Sequence, residues 1–209
     1  MYSPSQQRSQ VRENLKRQQL SKAIQIAQTI DDPWYKCQAL AHCARYADNS
    51  EANNLLAQAC ETASELDSPN RIVSCSAWPF SVICDSHDEA KANTYLNELI
   101  VILRREEHPV RVLDALELLL YASSRGSAQI FQRILDVMLE YLVDLKSWKH
   151  DRYLQRASLL MYPFVPNRTR NLEKLMKNPK LLTSINSKNS EDLFKSVDFM
   201  FGRMLEEPE

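Results

Sequence analysis

The stretch Lys22–Asp48, KAIQIAQTIDDPWYKCQALAHCARYAD, decides the fold. Asp32-Pro33 at its centre marks a helix start. Proline is pre-organised as a first helical residue, where its missing N–H costs nothing, and aspartate before it is a good N-cap. Small and apolar residues follow at helical spacing. The same start recurs at Ser68-Pro69 and His108-Pro109, 36 and then 40 residues further on. Six residues after each proline stands a small side chain: Ala39, Cys75 and Ala115. A weaker fourth copy begins near Trp148–Arg152, with Ala157 as its small residue.

Between these starts lie partner helices. One begins at Ser50 and carries Leu55, Leu56, Ala59, Ala63 and Leu66. Ser86-His87-Asp88-Glu89 reads as a capping box opening the next. Gly126 falls at the end of the helix started by Pro109, and Ser127 caps a helix carrying Ile130, Phe131, Ile134, Leu135, Met138 and Leu142. The chain therefore reads as helix, turn, helix with a period of roughly 36 to 41, inside the range of helical-hairpin repeats. A single hairpin cannot bury its own apolar face, so neighbours stack into a continuous core. Small residues at the shared position let two helices approach closely.

Composition agrees. Of 209 residues only 2 are glycine, 44% are hydrophobic and 25% charged, and the formal net charge is −1. Folds with many tight turns need positive φ, which glycine supplies. Two glycines exclude a β-sandwich, a doubly wound sheet and a glycine-rich phosphate loop. The expected class is all-α: about four stacked antiparallel helix pairs in a right-handed superhelix, with a C-terminal amphipathic capping helix. The expected organisation is a flexible segment over 1–10, a repeat domain over 11–165 and a C-terminal extension over 166–209, with the first helix inside 11–30.

Two stretches resemble known repeats. Lys22–Asp48 looks like a tetratricopeptide-type hairpin, and Glu107–Leu119, EHPVRVLDALELL, is similar to the inner portion of a HEAT repeat. The resemblance spans about residues 11 to 165. It is one of pattern: the Trp, Leu-Gly and Tyr of a tetratricopeptide first helix are absent, and Arg111 stands four residues before Ala115, where a HEAT repeat has three. The repeat type therefore stays open within the superfamily of stacked helical hairpins. The resemblance implies a curved superhelix that binds proteins or peptides, a step that rests on fold analogy.

After Pro166 the repeat pattern stops. A short helix is expected over Asn171–Lys177. From Ser190 an amphipathic helix follows, with Leu193, Phe194, Val197, Met200, Phe201 and Met204 on one stripe. It either caps the stack or docks on another chain.

No reaction is legible. Asp85, His87, Asp88 and Glu89 are dense in metal-ligating types, but the capping box accounts for Ser86 and Glu89, and adjacent helical positions diverge by about 100°. His42, His108 and His150 lack partners at ligand spacing. There is no G-x-S-x-G, H-E-x-x-H or C-x-x-C. We expect no enzyme, no cofactor and no metal. The polar opening Met1-Tyr2-Ser3-Pro4 is no secretory signal, and apolar runs are too short for a membrane. The five cysteines, Cys37, Cys43, Cys60, Cys75 and Cys84, read as buried thiols of a reducing cytoplasm. The sequon Asn167-Arg168-Thr169 carries no meaning without secretion.

The expected function is a non-catalytic protein-interaction module or scaffold. Arg71 and Arg111 share a repeat position, and Arg152 extends it; arginine holds carboxylates by paired hydrogen bonds, so the partner is an acidic protein or peptide. The rival role for these arginines is support of their own helix starts. Trp78-Pro79-Phe80 and Tyr162-Pro163-Phe164 place proline in helical pattern, where it kinks or ends the helix. Trp78 and Phe80 then either fill the bend or line a pocket for a partner side chain. The alternative function is nucleic-acid binding. Residues 146–180 hold nine Lys or Arg against two acids, including Lys146, Lys149 and Arg152, with Trp148 placed to stack on a base. Weighing against it, the acidic 191–209 segment is available to neutralise the block, and Trp148 is expected to pack on the neighbouring hairpin.

Overall fold

The computed structural model describes residues 2–143, 145–164 and 166–206. Met1 and the last three residues of the acidic 191–209 segment lie outside the described residues, as do the side chains of Pro166, Asn167 and Arg168. Helix makes up 74% of the chain, and no strand occurs among the described residues. In order the helices are α1 (Pro4–Lys16), α2 (Leu20–Gln28), α3 (Pro33–Ala44), α4 (Asn49–Ser64), α5 (Pro69–Asp85) and α6 (Glu89–Leu103). Then come α7 (Pro109–Ser123), α8 (Ala128–Leu142), α9 (Lys149–Met161), α10 (Pro166–Glu173), α11 (Pro179–Leu182) and α12 (Ser187–Met200).

The three prolines occupy equivalent places, each in the first turn of its helix, α3, α5 or α7. Only the first start has a side-chain cap: the Asp32 carboxylate accepts from the Tyr35 N–H at 3.2 Å. Ser68 and His108 make no such bond, and the Ser68 hydroxyl turns to the Asn70 amide oxygen instead. Ala39, Cys75 and Ala115 are fully buried, and Ala157 nearly so. Thiols mark the close approach of α3 and α5: Cys37 Sγ donates to the Cys75 carbonyl at 3.5 Å, and Cys75 Sγ to the Trp34 carbonyl at 3.7 Å.

Odd-numbered helices lie side by side, α1 on α3, α3 on α5, α5 on α7 and α7 on α9. Each even helix from α2 to α8 packs on the odd helix before it. Burial follows from this layering. The even helices bury one stripe, such as Ala92, Leu96, Leu99 and Leu103 in α6. In α3 every residue from Cys37 to Ala44 is buried, and in α5 every residue from Val73 to Cys84. Helices buried all round need a cover on their second side, and the C-terminal segment supplies part of it. One apolar core runs from Val11 to Phe201.

Several boundaries differ from expectation. The first helix begins at Pro4, ahead of residue 11, because Ser3 and Gln6 form a reciprocal capping box. The cap of α6 is Asp88, which accepts from the Lys91 N–H at 3.0 Å. Ser86 closes α5 instead, its hydroxyl donating to the Ile83 carbonyl at 2.7 Å, and His87 takes a positive φ of 58°. Pro163 follows the end of α9 as expected, whereas Pro79 sits inside an unbroken α5. Proline deprives the Cys75 carbonyl of its helical donor, and the Cys37 thiol takes that place. The helix expected over Asn171–Lys177 is α10, displaced towards Pro166, and α12 starts at Ser187 behind the Asn186 cap. No helix among the described residues is long and apolar enough to cross a membrane.

Candidate interaction surface

The C-terminal segment packs on α9, as a capping helix does, and its extension reaches further along the stack. It anchors on α9, where Ser190 Oγ donates to the Leu159 carbonyl at 2.7 Å. From there its side chains and backbone reach α7, α5, α3 and α1 in turn. Arg125, just past α7, lies 4.6 Å over the Phe194 ring and donates to the Asp198 carboxylate at 2.7 and 3.3 Å. Trp78 on α5 donates through Nε1 to the Met200 carbonyl at 3.3 Å and meets Phe201 edge-on, centroids 5.2 Å apart. Tyr46, just past α3, donates its hydroxyl to the Gly202 carbonyl at 2.8 Å. Arg12 on α1 donates to the Met204 carbonyl at 3.4 Å and lies 3.9 Å over the Phe199 ring.

The chemistry follows from how a helix ends. Its last carbonyls have no intrahelical donors. Here side chains of the stack serve the carbonyl of Met200 and those of Gly202 and Met204 beyond it. Gly202 makes the turn possible: its φ is +75°, and a Cβ there would come within 2.8 Å of the His42 ring. Arg203 then turns into the stack. It donates to both oxygens of Asp85, at 2.9 and 3.0 Å, and to the open Ala122 carbonyl at 2.7 Å. Asp85 also pairs with Arg45.

His42 lies beneath this segment, 2% exposed, with neither ring nitrogen hydrogen-bonded. Burial, then the guanidinium groups of Arg12, Arg45 and Arg8, push its pKa down to about 3. The Met200 carbonyl opposes this shift from outside hydrogen-bond geometry. Arg8 bonds to the Gln38 amide oxygen and lies 5.5 Å from the Tyr35 ring centroid. Its Nε is buried without a partner, as is that of Arg45.

The residues singled out in the sequence are distributed differently. Trp78 and Phe80 are buried, so the expected aromatic pocket is filled from within: Trp34 and Phe201 flank Trp78, and Phe80 packs near Tyr95. Arg71 pairs with Asp67 one turn earlier at 2.9 Å, as a helix-supporting arginine does. Arg111 is exposed and makes no ion pair among the described residues; Arg152 is half-buried. These arginines mark the starts of α5, α7 and α9, whereas the C-terminal segment touches the opposite ends of α5 and α7.

Two cations of the basic block pair with α7, and among the described residues no ion pair joins the block to the acidic C-terminal segment. Lys149 pairs with Asp114 at 3.0 Å, and Arg156 with Glu117 at 2.8 Å. Trp148 is 77% exposed, contrary to the expectation that it packs on a hairpin; Lys146 beside it is exposed too. Among the described residues no group of three His, Cys, Asp or Glu is placed to hold a metal. Sequence reasoning missed Arg12, His42, Arg45, Tyr46, Asp85, Arg125 and Arg203. One signal was present: Asp198 stands four residues after Phe194 and three before Phe201, at the border of the apolar stripe of the last helix.

No family model, curated protein or solved structure matches the chain.

Proposed function

We propose that this chain is a non-catalytic protein-interaction module, a superhelix of helical hairpins of the tetratricopeptide or HEAT kind, that holds a helical segment across the C-terminal ends of its odd-numbered helices. One observation carries the reading. Side chains from four of those helices or the turns that follow them already hold such a segment, Ser190–Met204, through its backbone carbonyls, two aromatic contacts and an arginine–aspartate network. Recognition through backbone carbonyls places few demands on the sequence of the bound segment. The five free cysteines suit a reducing compartment such as the cytoplasm.

The test is exchange in trans. A protease site placed within Thr183–Ile185 is cut in the folded full chain, and a labelled peptide covering residues 187–206 is added. The cut segment is expected to stay bound and then exchange with the label while the stack keeps its helicity. A segment that leaves only when the whole chain unfolds is a core element, and the reading falls.

A second reading has its own observation. Trp148, exposed beside Lys146, is available to stack on an unpaired base at the other ends of the helices. If it does, affinity for single-stranded nucleic acid falls about 10³-fold or more between 50 and 200 mM salt for six or more phosphate contacts. It is also lost when Lys146, Trp148 and Arg152 become alanine. Binding that ignores salt or these residues removes this reading.

A further inference from the structure

The segment Phe199–Met204 covers a site with unspent cationic capacity. Four arginines, Arg8, Arg45, Arg125 and Arg203, face only two aspartates, Asp85 and Asp198. Arg8 has no carboxylate partner among the described residues; it leans on an amide oxygen and an aromatic ring. Buried polar atoms are normally hydrogen-bonded, and each exception asks for a reason. Among the described residues five buried side-chain polar atoms lack partners, and four of them cluster here: Arg8 Nε, Arg45 Nε and both ring nitrogens of His42. The covering segment brings little negative charge to them. It offers carbonyls, rings and a further arginine, Arg203.

We infer that Phe199–Met204 is a displaceable strap over an acceptor site for an acidic peptide, whose carboxylates take the donors of Arg8, His42 and Arg45. This rests on the interaction-module reading and names the chemistry of its partner. A carboxylate gives each orphaned guanidinium Nε the charge-assisted partner that a backbone carbonyl or an amide supplies less well. It also gives His42 a reason to carry a proton, so acidic-peptide binding takes up a proton at neutral pH. The groups facing His42 are Arg8 and Arg12 from α1, Arg45 beyond the end of α3, and the Met200 carbonyl from the strap.

The strap is held by separable contacts, which makes the inference testable without disturbing the receptor. Tyr46→Phe removes only the hydroxyl bond to the Gly202 carbonyl. The probe is a hexaglutamate peptide added to the intact full chain, compared with hexalysine and with a thymidine oligonucleotide of matching charge. Binding is read by titration and by hydrogen exchange at the Gly202 and Arg203 amides, which donate to the Phe199 and Asp198 carbonyls. Hexaglutamate is expected to bind and to speed exchange at those amides. Tyr46→Phe should tighten binding about fivefold, the worth of one neutral hydrogen bond on the strap. Arg8→Ala and Arg8→Gln should each weaken it about tenfold. Affinity should rise as pH falls from 8 to 6.

Hexaglutamate binding that ignores both Arg8 variants overturns the inference, as does equal binding of hexalysine. Tighter binding of the oligonucleotide, still sensitive to Arg8, overturns it in favour of a nucleic-acid site. If the cut segment exchanges in trans but hexaglutamate does not bind, the acidic partner is wrong and the module reading stands. If the cut segment never exchanges, the module reading itself is lost.

Discussion

The Cys37 thiol donates to the one carbonyl that Pro79 strips of its helical partner, that of Cys75, at 3.5 Å. Two oddities of the sequence, a proline inside a helix and a cysteine in the neighbouring repeat, thus resolve each other. The contact gives a donor to the carbonyl left open where α5 runs on through Pro79. A double-mutant cycle of Cys37→Ala and Pro79→Ala measures the link. Replacing Pro79 restores an N–H to the Cys75 carbonyl, so Cys37→Ala should cost less in that background. The expected coupling is at the low end for touching residues, about 0.5 kcal/mol, because a thiol is a weak donor. Strictly additive urea denaturation midpoints would remove the hydrogen bond from this account.

Gly126 matters for space rather than for backbone freedom. Its φ is not in the left-handed region, but a Cβ there would meet Cys84 Cβ at 2.9 Å. Both atoms sit at the root of their side chains, so neither rotates away. Gly126→Ala should destabilise the chain by about 1–3 kcal/mol, the range of overpacking in a tight core. Cys84→Gly/Gly126→Ala should recover part of that loss. Thermal unfolding of the three proteins decides it, and a Gly126→Ala chain as stable as the parent contradicts the close approach.

His42 makes stability depend on pH in a defined direction. The unfolded chain protonates His42 as pH falls through about 6.5, whereas the folded chain resists until about 3. Between those values the unfolded state binds the extra proton. Folding stability should therefore fall as pH drops below 6.5, by up to about 1.4 kcal/mol per pH unit from this group alone. Above pH 7 the contribution is constant. His42→Gln removes the titration, so its stability should be flatter between pH 7 and 5 than that of the parent. Equal slopes in chemical denaturation at these pH values would place the orphaned imidazole outside the folded core.

What the sequence made legible was local. Pro33, Pro69 and Pro109 announce helix starts by their own stereochemistry, and Ala39, Cys75 and Ala115 announce close helix contacts by size. Each signal needs only neighbours in the chain. The strap was not legible for the opposite reason. Tyr46 meets Gly202, Arg12 meets Met204, and Asp85 meets Arg203 across 118 to 192 residues, and no pattern within one helix encodes such a meeting. The same limit misplaced Trp148: its flanking lysines say nothing of whether a neighbouring hairpin reaches it. Asp198 was the partial exception, since a carboxylate bordering an apolar stripe calls for a cation beside it.

That carboxylate is the joint on which the C-terminal segment depends. Asp198 is buried and accepts from Arg125 at 2.7 Å and from Arg203 at 3.4 Å. Arg203 keeps Asp85 as a second partner, but Arg125 has no other ion pair among the described residues. Removing one member of a buried ionic network leaves the other charges uncompensated, at a cost of about 3–5 kcal/mol. Asp198→Ala should fall near the lower end of that range, because Arg125 is half exposed and can reach water. The loss should be local: amide exchange over 187–206 accelerates while α3, α5 and α7 keep their protection. Asp198→Asn preserves shape and loses charge, so it should release the segment by a similar margin; if it behaves as the parent, packing rather than ion pairing holds the segment down. Uniformly faster exchange through the whole chain, in either variant, would mean that the segment and the stack unfold as one unit and that no separate strap exists.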